Sequence, residues 1–272
     1  MADKKTYTNL ATRVRKHSLD MVHAARVSHI GGCLSIADIL AVLYSGILHV
    51  NPGDPNSASR DRFILSKGHS CAALYAVLAE QGFFPIEWLE TYCQDGGKLF
   101  GHETKNIPGI EVSTGSLGHG LSIGCGIALA GKKTDQNYRV FVLLSDGDCD
   151  EGSTWEAVLF ASHHRLDNLI TIVDYNKMQA LGSTSEILNL DPLASKWQSF
   201  GWVINEIDGH DVIQIEKALL NIPFKEDHPS CIIANTIKGK GVSFMENQLV
   251  WHYKAPDANQ LEQALKELDN VE

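Results

Sequence analysis

The 272-residue chain has no run of about eighteen apolar residues, the length a membrane-spanning helix needs. Its first ten residues, MADKKTYTNL, lack the apolar core of a secretory signal. Cysteine is present six times, at 33, 71, 93, 125, 149 and 231, but never as Cys-x-x-Cys or at another metal-ligand spacing. That pattern excludes a cysteine-held zinc site and suits reduced thiols in a cytoplasmic protein rather than a disulfide framework. A dense basic tract is also missing, and 23 Lys and Arg against 33 Asp and Glu leave a net charge of −10. Neither nucleic acid nor an anionic membrane is the partner such a surface suits. With no GxGxxG and no GxxxxGK[ST], the usual nucleotide-binding signatures are absent too.

What is present is an apolar fraction of 44%, enough for a full core, and one α/β domain over 1–272 is the expectation. The informative stretch is 138–178. Residues 139–145 (RVFVLLS) read as a strand buried on both faces, 153–164 as a helix with Ser153 as cap and Glu156 three residues on, and 169–173 as a second buried strand. A strand, helix, strand unit with a right-handed crossover makes the two strands parallel, so Asp146 and Asn176 face each other across one crevice. Asp146-Gly147 alone is equally an ordinary turn. A carboxylate, an amide oxygen and a turn carbonyl together suit a hard cation such as Mg²⁺, which completes its shell from phosphates and water, so a diphosphate is the natural ligand.

Elsewhere, helical spacing covers 10–25, with Gly31-Gly32 as its stop, then 35–48, 70–80, 86–94, 121–133, 191–200, 211–220 and 256–268. Short strands are expected at 63–65, 202–207 and 231–234. The glycine-rich stretch 95–120 has no long periodic run, and a loop of that length in a compact domain is usually functional. His29, His69, His102 and His252 each follow a predicted element or sit in a glycine-rich loop. Singly each is an ordinary loop histidine, although its near-neutral pKa suits proton transfer.

Asp146-Gly147 followed thirty residues later by Asn176 resembles the thiamine diphosphate motif, with Ser145 in place of its first glycine. Ser28-His29, Lys67-Gly68-His69, Gly101-His102, Gly115-Ser116-Leu117-Gly118, Asp146 to Gly152, Asn176 to Met178 and Lys238 to His252 match, in order, the cofactor-binding domain of transketolase. Ile30 and His119 depart from the proline and glutamine common there. The resemblance implies a doubly wound α/β fold, mostly parallel, with helices on both faces. It implies Mg²⁺ (or Ca²⁺ or Mn²⁺) on Asp146, Asn176 and the Met178 carbonyl. Thiamine diphosphate would meet His69, Gly115, Leu117, Gly147, Glu151, Asn176 and Lys238. His29, His69, His102, His252 and Glu151 would be catalytic, and Glu151 and Glu156 would link paired sites across a dimer. No role is evident for Asp148 or Cys149.

The resemblance further implies ketol transfer from a sugar phosphate to an aldose, as the N-terminal subunit of a split enzyme. A separate C-terminal, pyrimidine-binding transketolase subunit would complete an α2β2 assembly. The alternative within the superfamily is a subunit like those of deoxyxylulose phosphate synthase or 2-oxo acid dehydrogenase.

Overall fold

The computed structural model describes residues 3–270. Its sheet has five strands, β1 (Arg62–Leu65), β2 (Val140–Ser145), β3 (Leu169–Tyr175), β4 (Val203–Asp208) and β5 (Ser230–Asn235), in the order β1-β2-β3-β5-β4. Every pairing is parallel, so the sheet is more uniform than the mostly parallel one expected. β2 and β3 are buried at each position, as parallel strands covered on both faces must be. Alternation along the strands sorts Phe141, Leu143, Ile170 and Ile172 into one apolar cluster and Val140, Val142, Leu144, Leu169 and Val173 into the other.

The helices before and between the first strands are α1 (Lys4–Ala25), α2 (Ile30–Ser35), α3 (Ala37–Val42), α4 (Cys71–Glu80), α5 (Gly120–Lys133) and α6 (Gly152–His163). They are followed by α7 (Thr184–Ile187), α8 (Leu193–Ser199), α9 (Val212–Leu220) and α10 (Ala258–Asp269). The residues of α1 to α4, α9 and α10 fill the first cluster, and those of α5, α6 and α8 the second. Steps from β1 through β3 to β4 advance across the sheet and enter the next strand from α5, α6 and α8, the first of them after α4 on the opposite face, whereas the step from β4 back to β5 uses α9. Crossovers of one hand require that reversal of face. The chain therefore leaves β2 and β3 toward one face and β1 and β5 toward the other, which opens a crevice at the carboxyl edge.

Several boundaries differ from the sequence-based expectations. Gly31-Gly32 lie inside α2 rather than stopping α1, which ends instead at Arg26 in the left-handed region with φ 53°. A Cβ on Gly31 would sit 3.1 Å from Lys238 Cγ, so this glycine serves close packing against that lysine. The expected helix 35–48 is broken at Ile36 and closes as a wide π turn over Leu43–Ile47, and the helix near 86–94 is a 3₁₀ segment, Ile86–Thr91. Ser153 does not cap α6, which begins at Gly152; its hydroxyl donates to the Gly118 carbonyl at 3.0 Å.

Candidate active site

Four parallel strands deliver their following residues to one edge: Lys67 to His69 after β1, Asp146 after β2, Asn176 after β3 and Lys238 after β5. A cavity of about 360 Å³ opens there, and every residue assigned to the site from the sequence lines it. His29 arrives from the α1–α2 connection, His102, Gly115 and Leu117 from the long loop before α5, Glu151 from the start of α6, and His252 from a 3₁₀ turn near the C-terminus. Glu156 does not reach the cavity; it is exposed on the outer side of α6.

At the centre, Asp146 Oδ2 and Asn176 Oδ1 both accept the Met178 N–H, at 3.2 and 3.1 Å, which brings the two side-chain oxygens together. The Met178 carbonyl faces the same space and accepts from Lys238 Nζ at 3.2 Å. Asp146 is only 2% exposed, so it lies in a buried crevice and not at an open sheet edge. Burial, reinforced by the Asp174 carboxylate, pushes its pKa up to about 7. An acid so placed favours a cation that would offset its charge. Among the described residues no group of three or more His, Cys, Asp or Glu is arranged around a metal, so an ion here would rest on mixed oxygens. One carboxylate, one amide and one carbonyl oxygen fit Mg²⁺ with phosphate and water as its other ligands.

Two carboxylates that sequence reasoning left without a role organise this edge. Asp174, fully buried, accepts from Lys67 Nζ, from Ser35 Oγ at 2.7 Å and from Asn176 Nδ2 at 3.1 Å, and also meets the Thr236 hydroxyl. Holding the Asn176 NH₂ turns that amide's oxygen toward Asp146. Asp148 accepts from Ser66 Oγ at 2.6 Å and from Gly118 N, Ser145 N and Ser145 Oγ at 2.8 Å, tying three cavity segments to one turn. Ser145, the departure from the motif's glycine, is thus one of its partners. Asp150 and Gln179, bonded to each other at the cavity wall, were also missed. An acidic turn reading DGDCDEG offers no signal of which acid faces inward.

The histidines form a cluster. Ring centroids lie 5.2 Å apart for His29 and His69, 5.0 Å for His29 and His252, 5.7 Å for His69 and His252, and 6.2 Å for His29 and His102. Burial, then the positive charge of neighbours including Lys238, lowers His29 to about 4 and His252 to about 3, and His69 falls well below its usual value. These three rings are neutral at pH 7. Lys238 Nζ donates to His252 Nδ1 at 3.1 Å, which leaves the His252 proton on Nε2. Burial also brings Lys238 down to about 8, against the opposing pull of Asp146. The arrangement offers oxygens for a hard cation, an ammonium for anionic charge, and neutral rings able to exchange hydrogen bonds and protons with hydroxyl groups.

A parallel sheet with a crevice of oxygens, an ammonium and neutral histidines at its carboxyl edge defines a class of cofactor-binding domain, and comparison gives the family. Residues 6–269 match the family model "Transketolase, thiamine diphosphate binding domain", and the chain belongs to that family. It is 41% identical over 254 residues to an apulose-4-phosphate transketolase subunit of Phocaeicola vulgatus, covering 93% of this chain and 90% of that one. With "6-deoxy-6-sulfo-D-fructose transketolase subunit SqwG" of a Clostridium species it shares 44% over 243 residues, 89% of this chain and 88% of that one. The crystal structure of Campylobacter jejuni transketolase superposes with a TM-score of 0.93 at 32% identity, over 98% of this chain but 43% of that chain.

Proposed function

We propose that this chain is the diphosphate-binding subunit of a split transketolase, folded as one domain, which moves a two-carbon ketol unit from a ketose phosphate or similar anionic ketose to an aldose. The observation that carries the reading is the convergence of Asp146, Asn176, Met178, Lys238 and the histidine cluster on one cavity. Asp146, Asn176 and the Met178 carbonyl would hold Mg²⁺, and Lys238 would oppose diphosphate charge. Bound there, thiamine diphosphate supplies the electron sink for breaking and remaking a carbon–carbon bond beside a ketose carbonyl. Gly115 and Leu117 close the cavity on the side of the long loop, where they would meet the ring system. Neutral His29, His69 and His252, with His102, bind sugar hydroxyls and pass protons at their ring nitrogens. Glu151, at the start of α6 and lining the cavity, would link one site to another across an assembly.

Relatives named as subunits support a partner that supplies the pyrimidine-binding half, in an α2β2 assembly. The test mixes the purified chain with that partner, thiamine diphosphate, Mg²⁺, a ketose phosphate and an aldose. Neither polypeptide alone transfers ketol units and the mixture does. Full activity from this chain by itself, or a stable complex that decarboxylates a 2-oxo acid instead, overturns the reading.

A further inference from the structure

Glu103 follows His102 directly, yet it faces the interior: it is 1% exposed, and its Oε2 is buried with no hydrogen-bond partner. Its Oε1 contacts the Thr114 hydroxyl, which also reaches the Leu65 carbonyl at 2.8 Å. A threonine hydroxyl carries one proton and a carbonyl can only accept. When that proton goes to Leu65, the proton between Glu103 and Thr114 must come from Glu103. Among the described residues no cation pairs with it. The titratable groups within electrostatic reach of Glu103 include Tyr44 in the Leu43–Ile47 turn and Cys71 and Tyr75 in α4, all pushed upward by burial and all neutral at pH 7. Burial likewise moves Glu103 up to about 7, although the Thr114 contact opposes it.

Thr114 stands where the long loop meets the turn after β1. Its neighbour Gly115 lines the cavity, Leu65 ends β1 just before Lys67 to His69, and a Cβ on Gly68 would lie 2.4 Å from its hydroxyl oxygen. Tyr75 holds the same loop from behind, donating to the His102 carbonyl at 3.2 Å. We propose that Glu103, held as a neutral acid, is a positioning residue that donates to Thr114 and so aligns His102 and Gly115 with His69. Losing that proton leaves an unpaired buried charge and releases the loop, so the site is aligned only while Glu103 keeps it. The consequence for turnover rests on the reading of the cavity given above; the protonation state does not.

The test therefore has two arms. In the full chain labelled with ¹³C at glutamate carboxyls, one resonance absent from E103Q is expected to titrate near pH 7 while exposed glutamates titrate near their usual ~4.3. A Glu103 resonance already ionised at pH 5 overturns the proposal, whether or not the assembly is active. In the reconstituted enzyme, the wild-type kcat/KM falls above about pH 7, whereas E103Q, whose amide also donates to Thr114, holds its neutral-pH value to higher pH. E103A loses about tenfold or more in kcat with little change in cofactor affinity. An E103Q profile that superimposes on the wild type sinks the positioning role even if E103A fails to fold.

Discussion

Asp146 bears a charge that its surroundings resist, because burial and Asp174 both favour its protonated form. A divalent cation reverses that balance, so the Asp146→Ala and Asn176→Ala variants should weaken Mg²⁺-dependent binding of thiamine diphosphate by about 100-fold or more, beyond what outer partners of a metal usually contribute. Titration calorimetry with and without Mg²⁺ checks this, and wild-type affinity in either variant contradicts the metal assignment. The histidines give a pH prediction of their own. With folded values of about 4 for His29 and about 3 for His252, neither ring should protonate between pH 8 and pH 5, as ring-carbon NMR shifts will show. Unfolded, both rings take up protons below ~6.5. Their contribution to stability is therefore complete above that pH and is lost as pH falls toward the folded values. Residue identity was legible in the sequence wherever a motif carried it. Depression of the histidine pKa values was not, because burial and the ammonium of Lys238 exist only after folding.

At the scale of elements, the turn after β2 depends on Asp148. Removing its carboxylate leaves the Ser66 and Ser145 hydroxyls and the Gly118 and Ser145 amides without their acceptor. Buried donors left unpaired cost about 1–3 kcal/mol each. The Asp148→Ala variant should lose about 3 kcal/mol or more, read from the urea midpoint, with unchanged stability refuting the anchoring role. Periodicity placed the strands and most helices within a residue or two, since a buried parallel strand and an amphipathic helix each write their own pattern. It failed at α2, where Gly31, which looks like part of a stop, serves packing against Lys238 from the other end of the chain. It failed again at Ser153, whose hydroxyl turned to Gly118 instead of its own helix. Both errors have one cause: a partner distant in sequence outcompeted a local one.

Across the whole molecule, several large apolar side chains remain uncovered. Leu159 is 59% exposed and Phe160 39% on α6, and Leu181 is 74% exposed next to the wall residues Gln179 and Ala180. Large exposed apolar side chains of this kind are candidates for surfaces that a partner covers. Replacing Leu181 or Leu159 with Glu should weaken association with the partner by about tenfold or more, followed by sedimentation, without changing the circular dichroism of the chain; association at wild-type strength would place the interface elsewhere. Among the described residues no helix is long and apolar enough to cross a membrane. The amino-acid sequence by itself determined the order of strands and helices, the carboxylate and amide thirty residues apart, and the four histidines, because these are written in local pattern and spacing. Tertiary structure decided what the acids do. Asp148, Asp174 and Glu103 look alike as letters, and only partners 82, 107 and 11 residues away make one an anchor, one an ion-paired brace and one a buried acid.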